Sequence, residues 1–496
     1  MKFIHQYLDN IKKKAYKDIY NLENTVLSKN PYISEFILNY INKKNRKNPN
    51  FLFILKNIFL FYIKNSIHFL IYIVQAIVYK LVNKKNYDFK KDSIVIDVFF
   101  LVDKIIKDKK FTENYFSGLY DVLKSNNKQY VFLPRLHMNN KNPLNILKLM
   151  QILNKDKNNF VFEFDLLSFI DFLRIIKFII LYPFNVISLL QKGNSKTNKL
   201  FNYEIVNSLS NTSHTAYTRY LMGKKLANNL PTDSKIISWM EFQNIEKSFN
   251  RAIKESSKKI TVYGCQFSIY YKEYISMHIT DIDYDCNITP DIVLLNGKYN
   301  YSDAKQQVFQ NGVSLRYKNI FNNNISNIID KENTLVLLTY QIKESIQLLE
   351  YAQNLKNVVL KIHPTTNISQ FNKYIKNEWI YSELTIYQEL EKAKIAIVGS
   401  MSGTGLEAVS CGISVIIVAS KNTIISNPLV SHGKGKIWDI AYDIDEFQLL
   451  YDNLLEYRNK NLEEINEIAS WYKDNFFVEP TEVNILNTFK LNKGLK

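Results

Sequence analysis

The stretch that decides the fold is "IAIVGSMSGTGLEAVSCG", residues 395–412. An apolar run reads as a buried strand, breaks into Gly399, Ser400, Ser402, Gly403, Thr404 and Gly405, and resumes as a helix-like run. Two readings fit the break. Glycines let backbone approach a ligand closely, and the first N–H groups of a helix lack partners, so the loop can cradle a phosphate. Equally, Thr404-Gly-Leu-Glu407 matches a capping box, and the polar residues then serve only the helix end. The glycine order GxxxGxG is neither the dinucleotide fingerprint nor the Walker pattern.

Working outward, "TLVLLTY" (334–340), "NVVLKIHP" (357–364), "AKIAIVGS" (393–400) and "ISVIIVAS" (413–420) read as strands, with helices at 343–355, 445–457 and 461–475. An earlier series has the same rhythm: "SIVIDVFFL" (93–101), "QYVFLPRL" (129–136), "KIISWME" (235–241), "KITVYGCQF" (259–267) and "DIVLLNG" (291–297), with a helix at 115–125. Short apolar runs separated by helices predict parallel sheets covered on both faces. A polar, Asn-rich stretch separates the two series. The expected organisation is a helical segment at 1–90, an α/β domain at 91–297, a hinge at 298–332 and a second α/β domain at 333–496, with the ligand in a cleft between the sheets.

With 496 residues, 46% of them hydrophobic, the chain can bury a large core, which excludes a disordered scaffold. A formal charge of +17 favours anionic partners, although lysines spread over a solvated surface give the same sum. No nucleic-acid-binding signature is present, so nucleic acid is not an expected partner. Cys265, Cys286 and Cys411 are too scattered for a disulfide framework or a metal site, and the first twenty residues lack a signal-peptide core; a cytoplasmic location is expected.

Residues 51–82 are the most apolar part of the chain, interrupted by Lys56, Lys64 and His68. On a helix, Asn57, Lys64, His68 and Gln75 form one narrow polar stripe on an otherwise apolar surface. Such a helix lies in a membrane interface or is buried as a core helix. A similar stretch at 166–191 is broken by Asp171, Arg174 and Lys177. Two of them in one chain suggest peripheral attachment to an anionic membrane surface.

"LKIHPTT" (360–366) carries the next candidates, Lys361, His363 and Pro364, just past a strand end where open α/β sheets hold their ligands. Histidine there can hydrogen-bond a phosphate or protonate a leaving oxygen, and proline restricts the chain's path.

A strand ending in His363-Pro364, followed about 35 residues later by a strand, a Gly/Ser/Thr loop and "LEA", resembles the C-terminal domain of GT-B glycosyltransferases. More narrowly, it resembles bacterial surface-carbohydrate and capsular-polysaccharide transferases of the sialyltransferase and Kdo-transferase kind. The resemblance spans 334–440 and is weak over 90–300; the Asp/Glu-Asp/Glu-Gly motif of sialyltransferases is not found in the N-terminal half. It implies two Rossmann-like domains facing a cleft, and metal-independent transfer without a cofactor, the nucleotide sugar being a co-substrate. His363 and Pro364, with Ser400, Ser402 and Thr404, would hold the CMP part of the donor, and Glu407 the ribose. The acceptor would be a lipid-linked glycan of a capsule or lipopolysaccharide at the inner face of the cytoplasmic membrane.

An inverting transferase also needs a general base. Glu241, at the end of a predicted strand in "ISWMEFQ", is the first candidate; it can instead be a first-turn acid of the following helix. This segment and "VYGCQFS" (262–268) resemble Trp-x-Glu-x-Gln and Gly-x-Gln stretches of surface-carbohydrate enzymes, which makes Gln243 and Gln266 neighbouring contacts. Asp103 is the reserve base. "DIDYD" (281–285) has the spacing of a metal-binding DxD motif but reads as a solvated acidic loop. Two other functions fit the same architecture: a nucleotide-sugar epimerase or hydrolase, and a non-catalytic subunit of a polysaccharide assembly or export complex.

Overall fold

The computed structural model describes residues 2–492 apart from 29–35, 86, 91, 114, 139, 267, 270–277, 300–308, 323–330, 364–365 and 422–424. The first sheet contains β1 (Ile94–Leu101), β2 (Tyr130–His137), β3 (Lys235–Met240), β4 (Thr261–Gln266), β5 (Ile292–Leu295) and β6 (Phe309–Asn311), in the order β2-β1-β3-β4-β5-β6. The second contains β7 (Asn333–Leu337), β8 (Val358–Lys361), β9 (Ile380–Tyr381), β10 (Ala393–Gly399), β11 (Ser414–Val418) and β12 (Trp438–Ala441), in the order β12-β11-β10-β7-β8-β9. All these pairings are parallel. Counted from β7, the second order is that of a doubly wound dinucleotide-type sheet. The chain has the expected GT-B arrangement of two parallel-sheet α/β units.

The strands form because their residues are covered on both faces. In β11, "SVIIV", every residue is buried, so the strand is a continuous apolar run without alternation. Strand order reverses between β1 and β3 and again between β7 and β10. Crevices therefore open past the carboxyl ends of those strands. Glu241 follows β3, and the Gly/Ser/Thr loop follows β10.

Unit boundaries differ from the sequence expectation. Residues 1–90 are not a separate segment, because Ile4, Leu8 and Leu22 share a core cluster with Val95 of β1 and Val131 of β2. The stretch set aside as a hinge contains β6, paired with β5. The chain beyond Phe476 leaves the second unit: Ser314 and Val478 exchange two hydrogen bonds of 2.9 Å, and Ile485, Phe489 and Leu491 join the first unit's core. Where the two connections touch, a side chain on Gly297 would lie 2.4 Å from the Phe476 carbonyl carbon. "DIDYD" is a short helix, not a solvated loop; its Asp283 is wholly buried and ion-paired with Lys12.

Residues 51–82 form one helix, Phe51–Val82, whose polar stripe faces inward. Lys64 Nζ donates to the Asn211 carbonyl (2.8 Å), Asn65 to the Thr212 carbonyl (3.0 Å) and Gln75 to the Lys141 carbonyl (2.8 Å). Phe51, Leu52, Phe59, Ile67, Leu70 and Leu81 are exposed on the other side, so this is not a buried core helix. The helix Phe169–Ser188 lies against it through Tyr62 and Ile180, and exposes Phe169, Ile170, Ile180 and Phe184.

Beneath the carboxyl ends of β1–β3 is a buried ion network. Arg135 of β2 donates to Asp97 of β1 through Nε and Nη2 (2.8 and 2.5 Å) and to Glu246 through Nη1 (2.6 Å). Arg219 also donates to Asp97 (2.6 Å), and Ser238 of β3 bonds both Asp97 and Arg135. Burial alone would raise the Asp97 pKa, but the two arginines reverse this and hold it at about 2. Replacing one member of such a cluster leaves its partners charged and unpaired in a dry interior. Asp97→Asn should therefore cost about 3–5 kcal/mol of stability in urea unfolding at pH 7. A loss below about 1 kcal/mol, the value of an exposed pair, would mean that the network is not dry.

Candidate functional site

The first unit contributes Glu241. Just past β3 the chain turns sharply at Phe242, whose φ of +57° is costly for an aromatic residue. The turn is held by Glu246, which accepts hydrogen bonds from the backbone N–H of Gln243 (2.7 Å) and of Glu241 (3.2 Å), and by burial of the Phe242 ring. Glu246 is itself gripped by Arg135, so the ion network sets this corner. The result is a half-buried Glu241 carboxylate that accepts a hydrogen bond from Gln243 Nε2 at 2.6 Å. Burial and the neighbouring charge of Glu246 raise its pKa to about 7, against the opposing pull of Arg316, Gln243 and Arg135. A carboxylate poised near neutrality suits a general base.

The second unit contributes His363 and Glu407. His363 is half-buried past β8, its ring 5.9 Å from that of Tyr340. Burial, and then the charge of Arg316, lower its pKa, so it is neutral at pH 7 and can donate an N–H to an anion. Glu407 is buried and accepts a hydrogen bond from Tyr387 Oη at 2.6 Å. The capping box is not formed, because Gly403 is the N-cap residue and Glu407 points to Tyr387. Burial raises the Glu407 pKa, with Arg316 and Tyr387 opposing.

Arg316 joins the two halves. It follows β6 in a short turn, Leu315–Tyr317, and its charge acts on Glu241 and Tyr115 from the first unit and on His363, Glu407 and Tyr387 from the second. The residue keeps solvent access, while its guanidinium is largely enclosed by neighbours and its charge is favoured by Tyr317 and Glu407. The carboxyl ends of the two sheets thus approach one guanidinium. The loop at 399–405 is near the chain leaving β4, since the nearest neighbour of a side chain on Gly403 would be Ile269, at 3.8 Å, which follows β4 and packs in the second unit's core.

The structure separates the other candidates. Ser402 and Thr404 are half-exposed and hydrogen-bonded to each other at 2.5 Å. Ser400 is buried, and both its N–H and its hydroxyl donate to Glu344 Oε1 at 2.9 Å, so its hydrogen is spent inside the fold. Gly399 serves the same contact, because a Cβ there would lie 2.7 Å from the Glu344 carboxyl carbon. Gly405 is buried in the first turn of the helix, against Val398. Lys361 Nζ donates to the Leu384 carbonyl. Gln266 is buried and its side-chain oxygen accepts the Asn296 N–H at 2.8 Å, tying β4 to β5. Asp103 is in the first turn of the helix Val102–Asp108, directly after β1. Pro364 lies outside the described residues. Among the described residues no cluster of three or more His, Cys, Asp or Glu is arranged to hold a metal ion.

Sequence reading missed Arg316, Tyr115, Tyr387 and Glu344. One signal was available for the first. Only seven of the 64 basic residues are arginine, and Arg316 is one of them. In so lysine-rich a chain, an arginine marks a place where the planar fork matters.

No protein-family model matches the chain, and no curated protein does. Several solved structures are similar in shape. The wall teichoic acid polymerase TagF is 11% identical, with 87% of this chain and 96% of that one covered and a TM-score of 0.41. For the calicheamicin glycosyltransferase CalG4 the figures are 10%, 81%, 98% and 0.42. For MurG of Acinetobacter baumannii they are 8%, 80%, 99% and 0.40. At this distance the strand orders, not these likenesses, carry the fold.

Proposed function

We propose that the chain is a glycosyltransferase that moves a sugar from a nucleotide donor to a growing bacterial surface polysaccharide. The observation behind this reading is the convergence of Glu241 from one unit, and of His363 and Glu407 from the other, on Arg316. In a single displacement, Glu241 takes the proton of an acceptor hydroxyl while its oxygen bonds to the anomeric carbon. The bond from that carbon to the donor phosphate oxygen breaks, and its electron pair leaves with the nucleotide. Arg316, the His363 N–H and the hydroxyls of Ser402 and Thr404 stabilise the departing phosphate. Glu407, held by Tyr387, binds the donor ribose. Attack opposite to departure inverts the anomeric centre, and Arg316 supplies the positive charge without a metal or cofactor. The His-Pro and Ser/Thr resemblance favours a CMP donor carrying Kdo or sialic acid, for a capsule or lipopolysaccharide acceptor.

The two outward apolar helix faces, with a charge of +17, support peripheral attachment to the inner face of the cytoplasmic membrane, where a lipid-linked acceptor is met. Phe51–Val82 is long and apolar enough to cross a membrane. Its inward face, however, is hydrogen-bonded to the first unit from Lys64 to Gln75, which favours lying along the interface.

With CMP- and UDP-linked sugars and a lipid-linked glycan acceptor, Glu241→Gln should lower kcat by about 100- to 10,000-fold while the protein stays folded. The base must be ionised, so the wild-type rate should rise with pH and level off above about 7, and the variant should lose that rise. Unchanged kcat would contradict the role of Glu241, and donor turnover without acceptor would favour the epimerase or hydrolase. In flotation with vesicles containing anionic lipid, the protein should rise with them at low salt, and Phe59→Glu with Ile67→Glu should weaken this at least several-fold. A wild-type chain that stays in solution would remove the membrane from the account.

A further inference from the structure

A second group of basic and polar side chains lies on the inward face of the Phe51–Val82 helix. Lys64, His68, Tyr72 and Gln75 succeed one another along that face at helical spacing. The segment 211–214 crosses over it, tied down by Lys64 and Asn65, and places the His214 ring 5.9 Å from both Phe69 and Tyr72. On the other side Gln75 holds the Lys141 backbone. Four basic side chains, Lys64, His68, Lys141 and His214, are thereby gathered between one helix and two loops.

The cluster is short of negative charge. Glu163 is the carboxylate that faces Lys141, and it is shared with Arg219. Burial pushes all four basic groups below their usual pKa, His68 to about 4 and His214 to about 3; repulsion by basic neighbours adds to this at Lys64, His68 and His214, whereas at Lys141 the charge of Glu163 opposes it. His214 is 6% exposed, and its Nδ1, like that of His68, has no hydrogen-bond partner. A fold that only needed to pack this helix would gain by replacing such groups with apolar ones.

We infer that Lys64, His68, Lys141 and His214 form a subsite for the phosphate or diphosphate group of a lipid. The helix that carries Lys64 and His68 shows lipid-compatible Ile63, Ile67 and Leu70 on its outer side, so head group and acyl or prenyl chain meet complementary surfaces of one element. Buried ion contacts then run from Arg219 through Asp97, Arg135 and Glu246 to the corner that carries Glu241. A lipid-linked acceptor anchored here would be held by the same unit that carries Glu241. Naming the ligand an acceptor rests on the transferase reading; the phosphate subsite itself does not.

The test uses the full chain without any nucleotide sugar, so its outcome is separate from whether sugar is transferred. Neutral phosphatidylcholine vesicles, plain or doped with a few per cent of a polyprenyl diphosphate, are compared in flotation, and inorganic pyrophosphate is titrated as a soluble competitor. Doping should tighten wild-type retention by roughly tenfold, the effect of one well-placed charge-assisted contact set. Lys141→Ala, at an exposed side chain, should lose most of that gain, and Lys141→Arg should keep it. Both variants should still bind plain vesicles as the wild type does. If pyrophosphate binds as tightly as the doped vesicles and doping adds nothing, the ligand is soluble and the lipid assignment fails. Equal doped-vesicle and pyrophosphate binding by wild type and Lys141→Ala would overturn the subsite.

Discussion

The corner that presents Glu241 hangs on the Arg135 guanidinium. Its fork joins Asp97 of β1 to β2, and its remaining arm holds Glu246 of the helix that follows β3. Glu246 in turn pins the Phe242 turn, which aims Glu241. Burying charge is expensive, and hydrophobic substitutes of the same volume commonly match or exceed a buried pair in stability. What a fork-shaped cation does offer is direction: two carboxylates from different elements are fixed at set angles. A corner that must present one carboxylate at a fixed place has use for such a device.

The second constraint is the double crossing between the units. Ser314, two residues before Arg316, is bonded through both its N–H and its hydroxyl to the returning chain at Val478. The position of Arg316 therefore depends on the C-terminal segment, which ends in the first unit's core at Phe489 and Leu491. Beside this crossing, Gly297 packs against the backbone of Asn475 and Phe476 at the end of a helix, where any side chain would force the two segments apart. Charge meets charge at the junction because both connections hold the cleft-facing turn in place.

The strands were legible because they are buried on both faces and need no alternation to be recognised; β1, β3, β10 and β11 fall within a residue or two of their apolar runs. β6, β9 and β12 were not, since "FQN", "IY" and "WDIA" are too short or too polar to stand out, and only a neighbouring strand makes them strands. The inward polar stripe of Phe51–Val82 was legible as a stripe, but the side it faced was not, because periodicity fixes relative angle and not orientation. Within the candidate site, Glu241 and His363 could be found by their places after strands, and Glu407 only through the family resemblance. Ser400 and Gly399 could not be told from ligand-binding neighbours, because their partner Glu344 is 56 residues away in sequence. Arg316 lay in a stretch that read as linker, and the long-range contacts that give it meaning leave no local pattern.

The central claim is that Arg316 anchors an anionic nucleotide between the two units. Its most direct test is a thermal-shift series with CMP, CDP, UDP, GDP and ADP on the wild type and on Arg316→Ala, because a ligand that binds only the folded state raises its melting temperature. At least one nucleotide should stabilise the wild type, and its effect should vanish in the variant while the unliganded melting temperatures stay close. A nucleotide shift of equal size in both proteins, or none in the wild type, would contradict the account.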